Sequence, residues 1–172
     1  MNNKEKYEVA FRLTAGASSG LNFLEDYLYD NQKTDIAYIR SIYMLLSYYV
    51  ELLLKSRVVM LGSFLNEDDL KKKLIKVSHN LIKIKKELGS NELLKIGIKE
   101  VTKNDTEYII KTTNNTEIKV EDFIDIRYDY LFGKMRVISG KEHKEIMKYI
   151  EYLFKILESV KKYNEETLKT GK

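Results

Sequence analysis

The chain has 172 residues, 44% hydrophobic and 33% charged, a size and balance that fit one globular domain with a sizeable core and exclude a wholly disordered chain. It contains no cysteine, which excludes disulfide frameworks, thiolate metal sites and cysteine nucleophiles. Its 30 Lys and Arg against 26 Asp and Glu leave a net charge of +4, which permits nucleic-acid binding but is spread more widely than the patch of a dedicated binder.

The opening residues Met1 to Lys6 are polar, and no run reaches the roughly 20 apolar residues of a membrane span. A cytoplasmic location without a membrane partner is therefore expected. From Lys4 to about Tyr29, Tyr7, Phe11, Leu13, Ala17, Leu21, Leu24 and Leu28 recur at mostly helical spacing. Gly16 and Gly20 share one face of this first helix, where small residues let a neighbouring helix approach. After a polar connector, a second helix runs from Ile36 to about Leu61 with apolar residues on more than one face. Such a helix must be covered from two sides and belongs at the centre of a bundle.

Gly62 stops that helix, and Asn66-Glu67-Asp68-Asp69 caps a basic segment ending near Val77. Ser78-His79-Asn80 restarts the pattern for a short helix from Leu81 to Leu88, ended by Gly89. Between residues 96 and 120 the rhythm changes to short alternating runs around Ile96-Gly97-Ile98, Tyr108-Ile109-Ile110 and Glu117-Ile118-Lys119-Val120, read as an inserted three-stranded antiparallel meander. Helical character returns from Glu121 to about Leu131, and 133 to 140 reads as a loop. The last helix carries the stripe Ile146, Ile150, Leu153, Leu157 and Val160, after which the tail 164 to 172 is expected to fray. The expected fold is mainly α: a single domain over residues 1–172, an antiparallel bundle of four to five helices with a small β insertion.

Phosphate-binding glycine loops, paired zinc histidines and nucleophile elbows are missing from the sequence. Two histidines without cysteine are a poor zinc set, so neither a metal nor a cofactor is expected. Glu51-Leu52-Leu53-Leu54-Lys55 late in a central helix, Ser78-His79-Asn80-Leu81 opening a later one, and Ile126-Arg127-Tyr128-Asp129 before the last helix together resemble the HEPN superfamily of helical bundle proteins. That resemblance runs from about Lys4 to Tyr163, the strand insertion excepted. It implies a homodimer, and either a non-catalytic binder of nucleotide, nucleic acid or a protein partner such as a nucleotidyltransferase, or a metal-independent endoribonuclease of toxin or defence type.

The nuclease branch of the family carries an arginine and, four to six residues later, a histidine. Arg127 lacks that histidine, whereas Arg136 and His143 satisfy the interval, interrupted by Gly140. Arg136 and His143 are therefore the alternative catalytic pair, with imidazole for proton transfer at a ribose hydroxyl and guanidinium for the phosphate. On the leading, non-catalytic reading, the binding residues are His79, Lys83, Arg127 and Tyr128. His79 matches the family's His-Asp-Leu motif with Asn80 in place of the acid, and a helix-capping role for this turn is the plainer alternative. Arg127 either contacts phosphate beside Tyr128 or is clamped between helices, with Glu51 as its carboxylate anchor. A third reading is a structural dimerisation module, because the tyrosines at 38, 43, 48 and 49 suit core and interface positions better than base stacking.

Overall fold

A computed structural model describes residues 1–30, 36–98, 109–111, 117–119 and 140–171. Among them are six helices: α1 (Asn3–Asp30), α2 (Ile36–Leu61), α3 (Glu67–Val77), α4 (Leu81–Leu88), α5 (Ser90–Lys95) and α6 (Gly140–Thr170). No described helix is long and apolar enough to cross a membrane.

α2 is the axis of the bundle and packs against α1, α4 and α6. From Tyr49 to Met60 every residue except Lys55 is buried, so the helix is enclosed on all sides, as its lack of a polar face requires. α6 lays Ile146, Ile150, Leu153, Leu157 and Val160 into the same core. On α1 the buried stripe is Lys6, Ala10, Thr14, Ala17, Leu21, Leu24 and Leu28. Phe11, expected inside, is 59% exposed, because a small Ala10 and a Thr14 hydroxyl bonded back to the Ala10 and Phe11 carbonyls occupy the core side. Lys6 is buried in order to serve the end of α2: its Nζ donates to the carbonyls of Met60 and Gly62, each at 3.2 Å. These are carbonyls that the helix itself cannot satisfy.

The glycine pair on α1 divides into one close contact and one ordinary one. At Gly20 an added Cβ would overlap the ring of Tyr49, whereas at Gly16 it would meet only Leu52 Cδ1 at 3.6 Å. Tyr49 thus lies directly on the α1 backbone. Burial raises its phenol above the ordinary value of 10.0, and neighbouring Tyr48 raises it further. The folded state therefore holds this proton more tightly than the unfolded chain, so the stabilisation is complete below pH 10 and is lost as pH rises beyond it. Thermal melts across that range should show a decline in stability that Tyr49→Phe reduces. An unchanged alkaline limb in the variant would contradict the assignment.

The expected three-stranded meander is not formed. Ile96 to Ile98, the first half of the run 96–101 read as its first strand, close α5 instead, while 99–101 lie outside the described residues: Gly97 N–H donates to Leu94 O at 3.1 Å and Ile98 N–H to Leu93 O at 2.9 Å. This is the Schellman pattern, with Gly97 at φ 86°. The left-handed glycine wraps the chain so that Ile96 and Ile98 both enter the core, and their spacing imitates strand alternation. Among the described residues, the remaining runs contribute β1 (Ile109–Lys111) and β2 (Glu117–Lys119), paired antiparallel with Ile110 opposite Ile118. The count of four to five helices is likewise exceeded among the described residues. The segment from Glu121 to Leu131 and the loop from 133 to 139 lie outside the described residues.

The expected frayed tail is also corrected. α6 continues to Thr170, with Asn164 and Thr167 buried and Leu168 packed against a second apolar cluster of Ala10, Val59, Met60 and Leu70. Asn164 belongs to a polar network that the sequence reading missed. Arg57, 2% exposed, donates from Nε to Glu92 Oε1 at 2.7 Å and from NH1 to Asn164 Oδ1 at 2.7 Å. Asn164 Nδ2 in turn donates to Ser56 Oγ at 2.7 Å. α2, α5 and α6 are thereby joined through one guanidinium, whose fork serves a carboxylate and an amide at once.

Candidate functional site

α3 and α4 meet in the turn Ser78-His79-Asn80, and the local sequence dictates its form. Asn66 opens α3 by accepting from Asp69 N–H at 3.0 Å, and Asn80 opens α4 by accepting from Lys83 N–H at 2.9 Å. Of the residues expected to cap this turn, Asn80 makes the N-cap. Ser78 closes α3 at φ 50°, ψ −142°, with its N–H on the carbonyls of Leu74 and Ile75. That conformation is sparsely populated for a residue with a side chain and costs on the order of 1–3 kcal/mol. It delivers His79 back toward α2.

There the imidazole meets Glu51, whose residue is 3% exposed. His79 Nδ1 lies 2.9 Å from Oε2 and 3.1 Å from Oε1, and Lys55 Nζ donates to Oε1 at 2.7 Å. A buried carboxylate needs such partners. A carboxylate beside an ammonium can only accept, so Nδ1 carries the proton and the lone pair of the neutral ring sits on Nε2. The His79 side chain is nevertheless 60% exposed. An oriented imidazole thus stands at the surface with its charge complement inside the bundle.

Two of the three sequence landmarks, Glu51 to Lys55 and Ser78 to Leu81, are therefore brought into direct contact. Lys83 is exposed on the first turn of α4, while Lys76 and Lys72 are exposed on α3. Lys85, on the same helix as Lys83, is buried. Arg127 and Tyr128 lie outside the described residues, as does Arg136. Among the described residues no three His, Asp or Glu side chains gather in the manner a metal ion requires.

His143 is held differently. Its Nε2 donates to the carbonyl of Leu28 at 2.9 Å, in the last turn of α1. A carbonyl only accepts, so here the proton is on Nε2 and the lone pair of the neutral ring is on Nδ1. The contact satisfies one of the orphan carbonyls of the α1 terminus. Beside it, Glu142 is buried and accepts from Tyr43 OH at 2.6 Å, tying the start of α6 to α2. His143 also borders a surface hollow of about 360 Å³ with Tyr29, Lys144, Met147, Lys148 and Glu151. The two histidines therefore differ in tautomer as well as in exposure.

Fold and site together define a helical bundle with a carboxylate-anchored histidine at the surface turn between two helices. No family model, curated protein or solved structure matches the chain.

Proposed function

We propose that this chain is a non-catalytic HEPN-like module that binds a phosphate-bearing ligand, a nucleotide or single-stranded RNA, on the surface around His79 and Lys83. The observation that carries the reading is the contact of His79 Nδ1 with the buried Glu51 carboxylate, at 2.9 Å, beside Lys55. Holding a largely exposed imidazole in one orientation has a cost in side-chain entropy, and a preorganised polar contact for a ligand is the return on it. The family resemblance adds Arg127 and Tyr128 as a phosphate contact and a stacking surface, and a homodimer as the working assembly. The nuclease reading is the weaker one because His143 commits Nε2 to the Leu28 carbonyl.

Binding is tested by fluorescence anisotropy with 5′-labelled single-stranded RNA and by calorimetry with ATP, both in EDTA. His79→Ala/Lys83→Ala is expected to weaken the wild-type affinity about tenfold or more, because each charge-assisted hydrogen bond contributes about 1.5–3 kcal/mol. The far-UV circular dichroism should be unchanged, and the RNA affinity should fall with added salt. Equal affinities of variant and wild type would sink the proposed surface. Cleavage of the RNA that disappears in Arg136→Ala/His143→Ala would replace the binder by the nuclease.

A further inference from the structure

The basic charge of the chain is concentrated in one part of the fold. Between Leu70 and Leu88 the sequence holds seven lysines and a single acid, Glu87, a net charge of +6 within a chain of net charge +4. The rest of the chain is therefore net negative. We infer that the ligand of this surface is a single-stranded RNA held by its phosphate backbone along α3 and α4, rather than a mononucleotide seated at His79. The inference rests on the proposed binding of phosphate around His79 and Lys83 and assigns the class of ligand.

Lys72 and Lys76 on α3 and Lys83 and Lys86 on α4 are all exposed. Among the described residues, none of these four ammonium groups lies in an ion pair with a carboxylate. The other lysines of the segment are engaged or enclosed: Lys73 Nζ donates to Glu87 Oε2 at 2.6 Å, Lys71 lies 3.8 Å from Asp68, and Lys85 is buried. The pair of Lys73 with Glu87 clasps α3 to α4 across the turn Ser78 to Asn80 and neutralises the one acid of the segment. What is left is an array of uncompensated positive charge, which draws in an anionic chain.

The spacing of the array selects a chain over a single nucleotide. Lys72 and Lys76 are about 6 Å apart along α3, and Lys83 and Lys86 about 4.5 Å apart along α4, at a rise of about 1.5 Å per residue. Lys76 and Lys83 flank the turn closely, so the array continues across it. A mononucleotide at His79 and Lys83 leaves the outer lysines, Lys72 and Lys86, without phosphate, whereas a polynucleotide backbone reaches all four. At the start of α3 the acids Glu67, Asp68 and Asp69 repel such a backbone and mark the end of the track. Ile75 and Ile82 are exposed singly among the lysines and do not form the apolar face with which a helix lies on a bilayer. Contacts to phosphate carry no base readout, so the track is indifferent to sequence.

Anisotropy titrations of the full chain with a short 5′-labelled oligouridine at rising KCl measure the slope of log affinity against log salt. Four contacts, each contributing about 0.7 for a single strand, give a slope of about −2.8, or about fiftyfold weaker binding at 200 than at 50 mM salt. Lys72→Gln/Lys76→Gln should bring the slope to about −1.4. Lys155→Gln/Lys169→Gln, which removes the same charge from exposed positions of α6, should keep the wild-type slope. ATP should bind more weakly than the RNA and should be indifferent to Lys72→Gln/Lys76→Gln. A wild-type slope in Lys72→Gln/Lys76→Gln, equal changes in both double variants, or ATP binding as tight as RNA binding would each overturn the track. Binding to mixed phosphatidylcholine and phosphatidylserine vesicles without RNA binding would replace it by a lipid surface. If the track fails in these ways while His79→Ala/Lys83→Ala still loses ATP, the phosphate reading stands without it. Wild-type affinity of His79→Ala/Lys83→Ala for both RNA and ATP removes the reading at His79, and the track with it.

Discussion

Replacing Arg57 by alanine is expected to lower the unfolding free energy by about 3–5 kcal/mol, the usual consequence of removing one partner from a buried ion pair. A loss of that size is a large part of a domain's net stability of roughly 5–15 kcal/mol. Its origin is the set of groups left behind: the Glu92 carboxylate would lose its 2.6 and 2.7 Å contacts, and Asn164 Oδ1 its 2.7 Å donor. Lys95, 3.9 Å from the other oxygen of Glu92, is too distant and exposed to compensate. Arg57→Lys should recover only part of the loss, because a point charge cannot donate to two acceptors with the geometry of a planar fork. By contrast, Arg57→Met/Glu92→Leu/Asn164→Leu removes every charged member together and is expected to fall near the wild type. Urea titrations followed by circular dichroism measure all three. A cost below about 1 kcal/mol for Arg57→Ala would place the pair among weak surface bridges and refute its role as the joint of α2, α5 and α6.

Gly20→Ala is expected to destabilise by about 1–3 kcal/mol, although alanine is the better helix former by about 1 kcal/mol. The sign is the diagnostic feature. A Cβ at Gly20 overlaps the Tyr49 ring, and α1 must shift or the ring must leave its place. Gly16→Ala is the internal control on the same helix, four residues away, and with only Leu52 Cδ1 at 3.6 Å it should gain about 0.5–1 kcal/mol. Removing the ring first, as Tyr49→Ala, should make the added methyl harmless, so a double-mutant cycle should return a coupling of about 1–3 kcal/mol, the whole cost of the single substitution. If Gly20→Ala stabilises as Gly16→Ala does, the close approach of α1 and α2 is wrong.

Much of this architecture is legible in the chain because it is local. The stripe of α6 repeats at steps of four and three, α2 has apolar residues on every side, and Asn66, Asn80 and Gly89 sit where helix boundaries require a capping oxygen or a glycine. Nearest-neighbour physics settles such features. The errors arise where two local rules predict the same letters. Ile96-Gly97-Ile98 satisfies strand alternation and helix termination equally, and the positive φ of Gly97 decides between them. Phe11 fits the apolar period of α1, yet the space beside α2 admits Ala10 and Thr14 on that side.

The candidate site divides in the same way. Glu51 with Lys55 is visible as an i, i+4 pair, and His79 is visible as the start of a helix. That the two meet is not, since 28 residues separate them. The Arg57 network was missed for a related reason: its partners lie 35 and 107 positions away, and Asn164 stands in a polar stretch that reads as solvent-facing. A signal did exist. Ser56 and Arg57 lie within a helix with no free face, and a charged residue there must have a buried partner.

By itself the sequence determined α1 to α4 and the greater part of α6, the caps at Asn66 and Asn80 and the central place of α2, but not α5 or the last turns of α6, because the former follow from side-chain period and backbone hydrogen-bond needs within a few residues. The tertiary structure alone decided which nitrogen of each histidine bears the proton, which glycine touches an aromatic ring and which polar side chains are locked inside. Those outcomes depend on acceptors brought close from distant parts of the chain. His79 and His143 are the same residue type, yet a buried carboxylate from α2 fixes one ring and a terminal carbonyl of α1 fixes the other.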